Sequence, residues 1–398
     1  MAVKSTTAEP DKEQAGATST CRQIDTAALL TAGSSLHQQY YHPRNLLSGN
    51  AVRALLRDNR QLWDLYTLRD DRSGQPEGGC KSDYTGTNPG SLMGPVVSEY
   101  LYGSGPAIEY QDGKKFAVCL THDVDVVYPP LAHRAFSSFH YLKRGDMGSL
   151  MKEALWRKGD KGCYDYRTFR EIMRLEDRYG AKSSFYFLAA ERNNQRLRKY
   201  NVEDLAGDLG CIIDSGREVG LHGGYYAYDD LETIKTEKRR LEKALGRSVC
   251  GYRNHYLRFQ VPETWEYLSQ AGFKYDTTLG YNNVPGFRNG MCHPFRPCIP
   301  GSGREVDIWE IPLAIMERAL FDYAKTFDEA WAVARRLIDT TERNRGVITL
   351  LWHNEVFRAP FRAQWMALYD RILKYCQEKG AWMTSGEEIS RLCDIYVR

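Results

Sequence analysis

From residue 115 onward the sequence repeats one pattern: a short apolar run, a polar or glycine-rich break, then a longer segment with apolar residues at helical spacing. The runs at 116–121, 183–188, 218–222, 249–253, 273–276, 307–312, 347–352 and 382–384 read as strands. Between them Phe169, Ile172, Met173 and Leu175 recur at helical spacing, as do Trp365, Leu368, Ile372, Leu373 and Cys376. Gly180, Gly272 and Gly380 follow helical runs, where a left-handed cap is wanted. Strands apolar on both faces must be covered by helices, so the alternation predicts a parallel α/β sheet. Seven or eight such units within 115–398 predict a (β/α) barrel, with an open doubly wound sheet as the alternative.

The run at 116–120 ends abruptly in Thr121, His122, Asp123 and Asp125. Two carboxylates and an imidazole thus fall at the carboxyl end of a core strand, where α/β folds place their chemistry. Three more polar clusters end predicted strands: GLHGGYYAY (220–228), GYRNHYLRF (251–259) and LLWHNE (350–355). Paired carboxylates divide labour when a cation neutralises one and the other stays free as a base. Imidazoles from neighbouring strands complete a divalent coordination sphere with a position left for water, and a separate imidazole protonates a leaving group. Two long connections, 126–165 and 280–303, follow the first and fifth strands and are expected to line a binding site. The second carries Tyr281, Asn282, Asn283, Phe287, Arg288, His293 and Arg296, a mix suited to a polar, ring-shaped ligand, with His293 expected at substrate or solvent.

These motifs resemble those of the polysaccharide deacetylase family, the NodB-homology enzymes of carbohydrate esterase family 4. THDVD is similar to the family's opening TFDDG motif, in a DxD variant; the histidine, arginine and late-histidine motifs follow in the family's order, and the resemblance runs from Lys115 to the C-terminus. It implies a distorted (β/α) barrel with zinc or a similar divalent ion, Asp123 as general base, Asp125 and His222 as metal ligands, Arg253 as the residue orienting the base, and His353 as general acid. Asp276 and Asp307 are the two candidates to orient His353.

Two departures stand out. The aspartates are spaced Asp-Val-Asp, which leaves open which is base and which is ligand, and the family's second metal histidine, four residues after His222, is Tyr226 here. His255 is the best replacement: it follows Arg253 by two and so points to the same side of an extended segment, whereas alternation turns His122 away from Asp123. The implied activity is removal of an N-acetyl group from an N-acetylated sugar in a glycan or biosynthetic intermediate. The alternatives are an amidase acting on a small non-sugar amide and a catalytically silent glycan-binding barrel.

Composition bounds the rest. With 42% hydrophobic and 26% charged residues over 398 positions, the chain is of the globular class. A net charge of +3, with basic and acidic residues interleaved as in KTEKRRLEKALGR (235–247), argues for a solvated helix face and against a nucleic-acid partner. Residues 1–22 are polar and read as a disordered tail, 23–110 as an N-terminal segment of unassigned function, and 111–398 as the barrel domain. Residues 52–65 within that segment suit a helix. The ten cysteines form no CxxC pair; Cys119 and Cys211 read as small core residues, and Cys292 with Cys298 as a candidate bridge or metal pair. No stretch approaches the length of a membrane span and residues 1–20 lack a signal peptide's apolar core, so a reduced, cytoplasmic setting is expected.

Overall fold

The computed structural model describes residues 47–69, 83–103, 108–155, 165–190, 200–299 and 301–397. The expected tail lies outside the described residues, as do Cys21, Cys80 and Cys163. Nine short strands build the sheet: β1 (Ala117–Val124), β2 (Ser184–Leu188), β3 (Glu218–Gly223), β4 (Gly251–Asn254), β5 (Tyr275–Asp276), β6 (Trp309–Glu310), β7 (Leu313–Met316), β8 (Val347–Leu351) and β9 (Trp382–Thr384). Their order is β6-β5-β4-β3-β2-β1-β8-β7, with β9 added on β1, and every strand ladder is parallel. The stretch from Ala117 to Cys119 pairs with β8 on one side and β9 on the other, while Thr121 to Val124 pairs with β2. β9 and β2 therefore share one edge of β1 in succession.

β6 and β7 stand at opposite ends of that order, yet only Ile311 and Pro312 separate them in the chain. Ile311 N–H bonds to Asp276 O beside β5 and Leu313 N–H bonds to Leu279 O, so the two ends of the sheet meet and the sheet curls into an α/β barrel. The strand expected at 307–312 is β6, which pairs only over Trp309–Glu310; β7 is a further strand, not expected from the sequence, that begins just past Pro312, a residue with no N–H to give a ladder.

The described helices are α1 (Gly49–Leu56), α2 (Arg60–Tyr66), α3 (Val96–Tyr102), α4 (Leu131–Lys143), α5 (Met147–Leu155), α6 (Phe169–Asp177), α7 (Ala206–Asp214), α8 (Leu231–Leu245), α9 (Glu263–Gln270), α10 (Glu317–Tyr323), α11 (Phe327–Arg343), α12 (Ala363–Glu378) and α13 (Gly386–Tyr396). Gly180, Gly272 and Gly380 adopt φ of 65°, 81° and 76°, as the cap reading required. The barrel interior is filled by Tyr186, Arg253 and Tyr275, all fully buried. Glycines make the room: a Cβ on Gly220 would sit 2.5 Å from the Tyr186 ring, and one on Gly251 2.2 Å from Tyr275 Oη.

The helix read at 52–65 is interrupted at Asn59, whose side chain accepts from Leu62 N–H and caps α2. Leu56 and Leu62, with Val97 and Leu101 of α3, share a core with Met291, Phe295, Val306 and Ile308. The connection 280–303 is the seat for this segment. Val97 and Ser98 N–H groups donate to Gly290 O, and Phe287 N–H donates to Leu92 O. Phe287 is buried, Arg288 donates to Gly280 O, Asn283 bonds the Tyr84 backbone, and Arg296 pairs with Asp307. His293 is buried as well, 3.0 Å from Ser98 Oγ and packed on the Tyr102 ring, and burial pushes its pKa down to about 3. Contrary to expectation, His293 and most of this connection are structural, because apolar burial of the N-terminal helices claims them. Cys292 and Cys298 are buried free thiols, neither bridged nor grouped at a metal-type cluster among the described residues.

Candidate active site

β1 is buried along its whole length, and its alternation sends successive side chains to opposite faces. His122 points outward from the barrel and is fully buried there, with Nδ1 2.8 Å from Trp352 O and Nε2 2.8 Å from Glu176 Oε1. It is a satisfied structural imidazole. Thr121 and Asp123 point inward, and Arg253 from β4 bridges them: its Nη1 donates to Thr121 Oγ1 at 2.7 Å and to Asp123 Oδ1 at 3.1 Å. Arg253 Nε donates to Thr277 O, and its guanidinium lies 5.0 Å from the centroid of the Tyr186 ring, so the charge that orients Asp123 is itself held from three sides.

Asp125 leaves β1 one residue past its end and meets three imidazoles. His222 Nε2 is 3.2 Å from its Oδ1, while His255 Nε2 and His353 Nε2 are 3.6 and 3.7 Å from its Oδ2. Burial would raise the Asp125 pKa, but His255, His222 and His353 outweigh it and hold the carboxyl well below its usual range. His222 Nδ1 lies 2.9 Å from Arg253 O, and a carbonyl only accepts, so Nδ1 carries the hydrogen. Nε2 thus faces Asp125 Oδ1, a buried oxygen, at 3.2 Å. Burial lowers the His222 pKa, but Asp123 and Asp125 outweigh it and raise it, so the pair calls for positive charge at Nε2, carried by a proton or by a bound cation. Asp125, His222 and His255 each offer a ligand atom within 4.8 Å of the others, and one carboxylate with two imidazoles is a donor set for a divalent ion.

His255 reaches this position through an unusual turn. β4 ends at Asn254, and the next two residues after His255, Tyr256 and Leu257, have φ of 58° and 50°, left-handed values that non-glycine residues adopt at a cost of about 1–3 kcal/mol. The turn swings the His255 ring to 5.0 Å from the His222 ring. Tyr226, at the position where a second histidine is wanted, is 48% exposed and joins Tyr225 and Tyr256 in an aromatic rim along which Arg258 packs.

His353 follows β8, and its Nδ1 is 2.5 Å from Glu317 Oε1, leaving Nε2 to face Asp125. Burial alone would lower its pKa; Glu317, then Asp125 and Glu355, outweigh burial and hold it well above the ordinary histidine value. The partner of His353 is thus neither of the aspartates considered from the sequence. Asp276 bonds Thr278 and Asp307 bonds Arg296, each at its own site. Glu317 opens α10 directly after β7, the strand missed in the sequence, and the rule that found the other clusters, a polar residue ending an apolar run, applies to LAIME as well.

Fold and site together define a parallel α/β barrel whose strand ends carry a cluster of one aspartate and two histidines with ligand atoms turned to one another, an arginine-held aspartate and a glutamate-held histidine. Solved structures similar to this chain include polysaccharide deacetylases, the family that its motifs resemble. A provisionally named polysaccharide deacetylase from Mycobacterium smegmatis shares 18% identity over 72% of this chain and 93% of its own, with a TM-score of 0.48. Puue allantoinase shares 14% over 78% and 97%, and another chain provisionally named polysaccharide deacetylase, from Pseudomonas aeruginosa PAO1, 14% over 73% and 95%, both at a TM-score of 0.48. No protein-family model matches the sequence, and no curated protein matches it.

Proposed function

We propose that this protein is a metal-dependent hydrolase that removes the N-acetyl group from an N-acetylated sugar in a glycan or biosynthetic intermediate. The observation that carries the reading is the inequivalence of the two aspartates: Asp125 faces His222 and His255, while Asp123 is fixed by Arg253. The 3.2 Å approach of His222 Nε2 to the buried Asp125 Oδ1 and the hydrogen held on His222 Nδ1 support Asp125, His222 and His255 as the holders of one divalent ion, with zinc suited to two imidazoles and a carboxylate. Such an ion supplies Lewis acidity at the amide carbonyl and makes water acidic enough to attack it near neutral pH.

The chain's own residues do the proton work. Asp123 is the base: Arg253 occupies its Oδ1, so Oδ2, 3.7 Å from His222 Nε2, is the oxygen that receives the attacking water's proton. His353 is the acid. Glu317 fixes its Nδ1–H and stabilises the imidazolium, so Nε2–H delivers its proton to the departing nitrogen as the C–N bond breaks, and the amine leaves neutral. Arg253 positions the base through the bond from its Nη1 to Asp123 Oδ1. The exposed rings of Tyr226 and Tyr256 beside His255 offer the flat apolar surface on which a sugar ring stacks.

The deciding experiment measures acetate and free amine released from N-acetylated oligosaccharides and from small non-sugar amides, by protein of measured metal content. Acetate from the sugar and none from the amides is expected. Turnover of the amides alone makes the protein an amidase, and metal-free protein that binds glycan without turnover makes it a silent barrel.

A further inference from the structure

The connection from β1 to β2 carries α4 and α5, a helical hairpin that is built inside out. Its only buried residues are Ser137 and Glu153. The seam between the helices is polar: Arg134 donates from Nη2 to Glu153 O at 2.6 Å and from Nε to Glu153 Oε1 at 3.3 Å. The large apolar side chains face outward instead, with Leu131 81%, Phe136 61%, Phe139 67%, Leu142 59%, Met147 54%, Met151 55% and Leu155 71% exposed. Seven of the eleven exposed large hydrophobics among the described residues fall on this one hairpin. Leu131, Ala135, Phe139 and Leu142 recur at helical spacing on α4, as do Met147, Met151 and Leu155 on α5, so each helix presents a stripe. Apolar patches of this kind on an otherwise ordinary surface mark a site of association.

The charges say with what. Both carboxylates of the hairpin are engaged locally: Glu153 is buried against Arg134, and Asp146 caps Ser149 N–H. The cations Lys143, Arg144 and Lys152 stay exposed beside the apolar stripes. Three exposed cations against one exposed carboxylate, Asp146, which lies near Lys152, leave the apolar stripes flanked by net positive charge, the pattern of helices that lie in the headgroup region of an anionic bilayer. No helix among the described residues is long and apolar enough to cross a membrane, so the contact is one of lying on the surface. The hairpin is also rooted at the site: Asn354, next to His353, donates to the carbonyls of Val126 and Tyr166 at 2.8 and 2.6 Å, clamping both ends of the connection.

We infer that the α4–α5 hairpin is a docking surface for an anionic phospholipid bilayer. This inference does not depend on the deacetylase reading. Its test is sedimentation of the full chain with vesicles of phosphatidylcholine alone or mixed with phosphatidylglycerol. The protein should sediment with the phosphatidylglycerol vesicles, and several-fold less as salt rises and screens the cations. Replacing Phe139, Leu142 and Met151 together by Ser should weaken binding about tenfold or more. Lys143→Glu with Arg144→Glu should abolish the preference for anionic lipid. All five side chains are exposed, so both variants should keep the wild-type melting temperature and metal content. Absence of vesicle binding by the wild type, or equal binding by both variants, would overturn the inference. So would a wild-type dimer that ignores vesicles and that the triple variant dissociates, which assigns the stripes to a second copy of the chain.

Discussion

Glu218 lies on the same face of β3 as His222 but two repeats of the pleat deeper, in the floor of the barrel. It is buried, with Oε2 accepting from Ser184 Oγ at 2.6 Å and from Glu387 N–H at 2.9 Å, and Oε1 accepting from Tyr275 Oη at 2.7 Å. Burial outweighs these bonds, and with a push from the nearby Glu387 charge it lifts the carboxyl from 4.5 to about 7. The folded protein therefore keeps this proton through a range where the unfolded chain has released it. The stabilisation is full at acid pH and is lost as pH climbs from 4.5 toward about 7, after which the loss levels off. At about 1.4 kcal/mol per pH unit the gap amounts to about 3 kcal/mol. Glu218→Gln removes the titration and keeps the shape. The amide oxygen can take the Ser184 and Glu387 bonds, and its NH2 can donate to Tyr275 Oη, whose own hydrogen can turn to Tyr186 Oη 2.9 Å away. Urea unfolding of both proteins from about pH 4 to about pH 8 should show the variant gaining about 3 kcal/mol on the wild type across that span. Any fixed cost of the amide cancels in the difference, as do the other buried carboxyls. Parallel stability curves would refute the reasoning and mean that Glu218 ionises in the barrel floor without penalty.

His255→Ala should lower metal affinity by at least about 10–100-fold, read by elemental analysis of the purified variant, whereas full occupancy would remove His255 from the ligand set. Asp123→Asn should retain metal and lose about 10²–10⁴ in turnover; metal lost together with activity would exchange the roles of Asp123 and Asp125. His353→Ala should cost a similar factor with fold and metal intact, and Glu317→Gln should lower turnover through the same imidazole, so an active Glu317→Gln variant would show that His353 needs no carboxylate partner. Gly220→Ala places a Cβ 2.5 Å from the Tyr186 ring and 3.1 Å from Gly251 O, and should cost about 1–3 kcal/mol, seen as a lower melting temperature.

The chemistry of strand ends is local and can be read along the chain. A buried parallel strand needs an unbroken apolar run, and its carboxyl end is where such a run can first carry polar groups, so the four clusters at 121–125, 220–228, 251–259 and 350–355 were legible from position. The choice of Asp123, Asp125, His222, Arg253 and His353 within them rested on the resemblance to the deacetylase motifs. The outward turn of His122 followed from alternation, whereas His255, expected from its spacing to Arg253, stands beside Asp125 and His222 by way of the turn at Tyr256 and Leu257. Contacts between partners distant in the chain emerge only on folding. β7 is four residues long and begins past Pro312, where the expected strand 307–312 ends, so neither it nor Glu317 after it stood out, and Glu317 becomes the partner of His353 only when β7 pairs with β8. The polar residues of 280–303 look the same in sequence whether they meet a ligand or a neighbouring helix. Burial of α1 to α3 against them settled that, because polar groups covered by apolar helices must bond one another, and His293 with Ser98 does so.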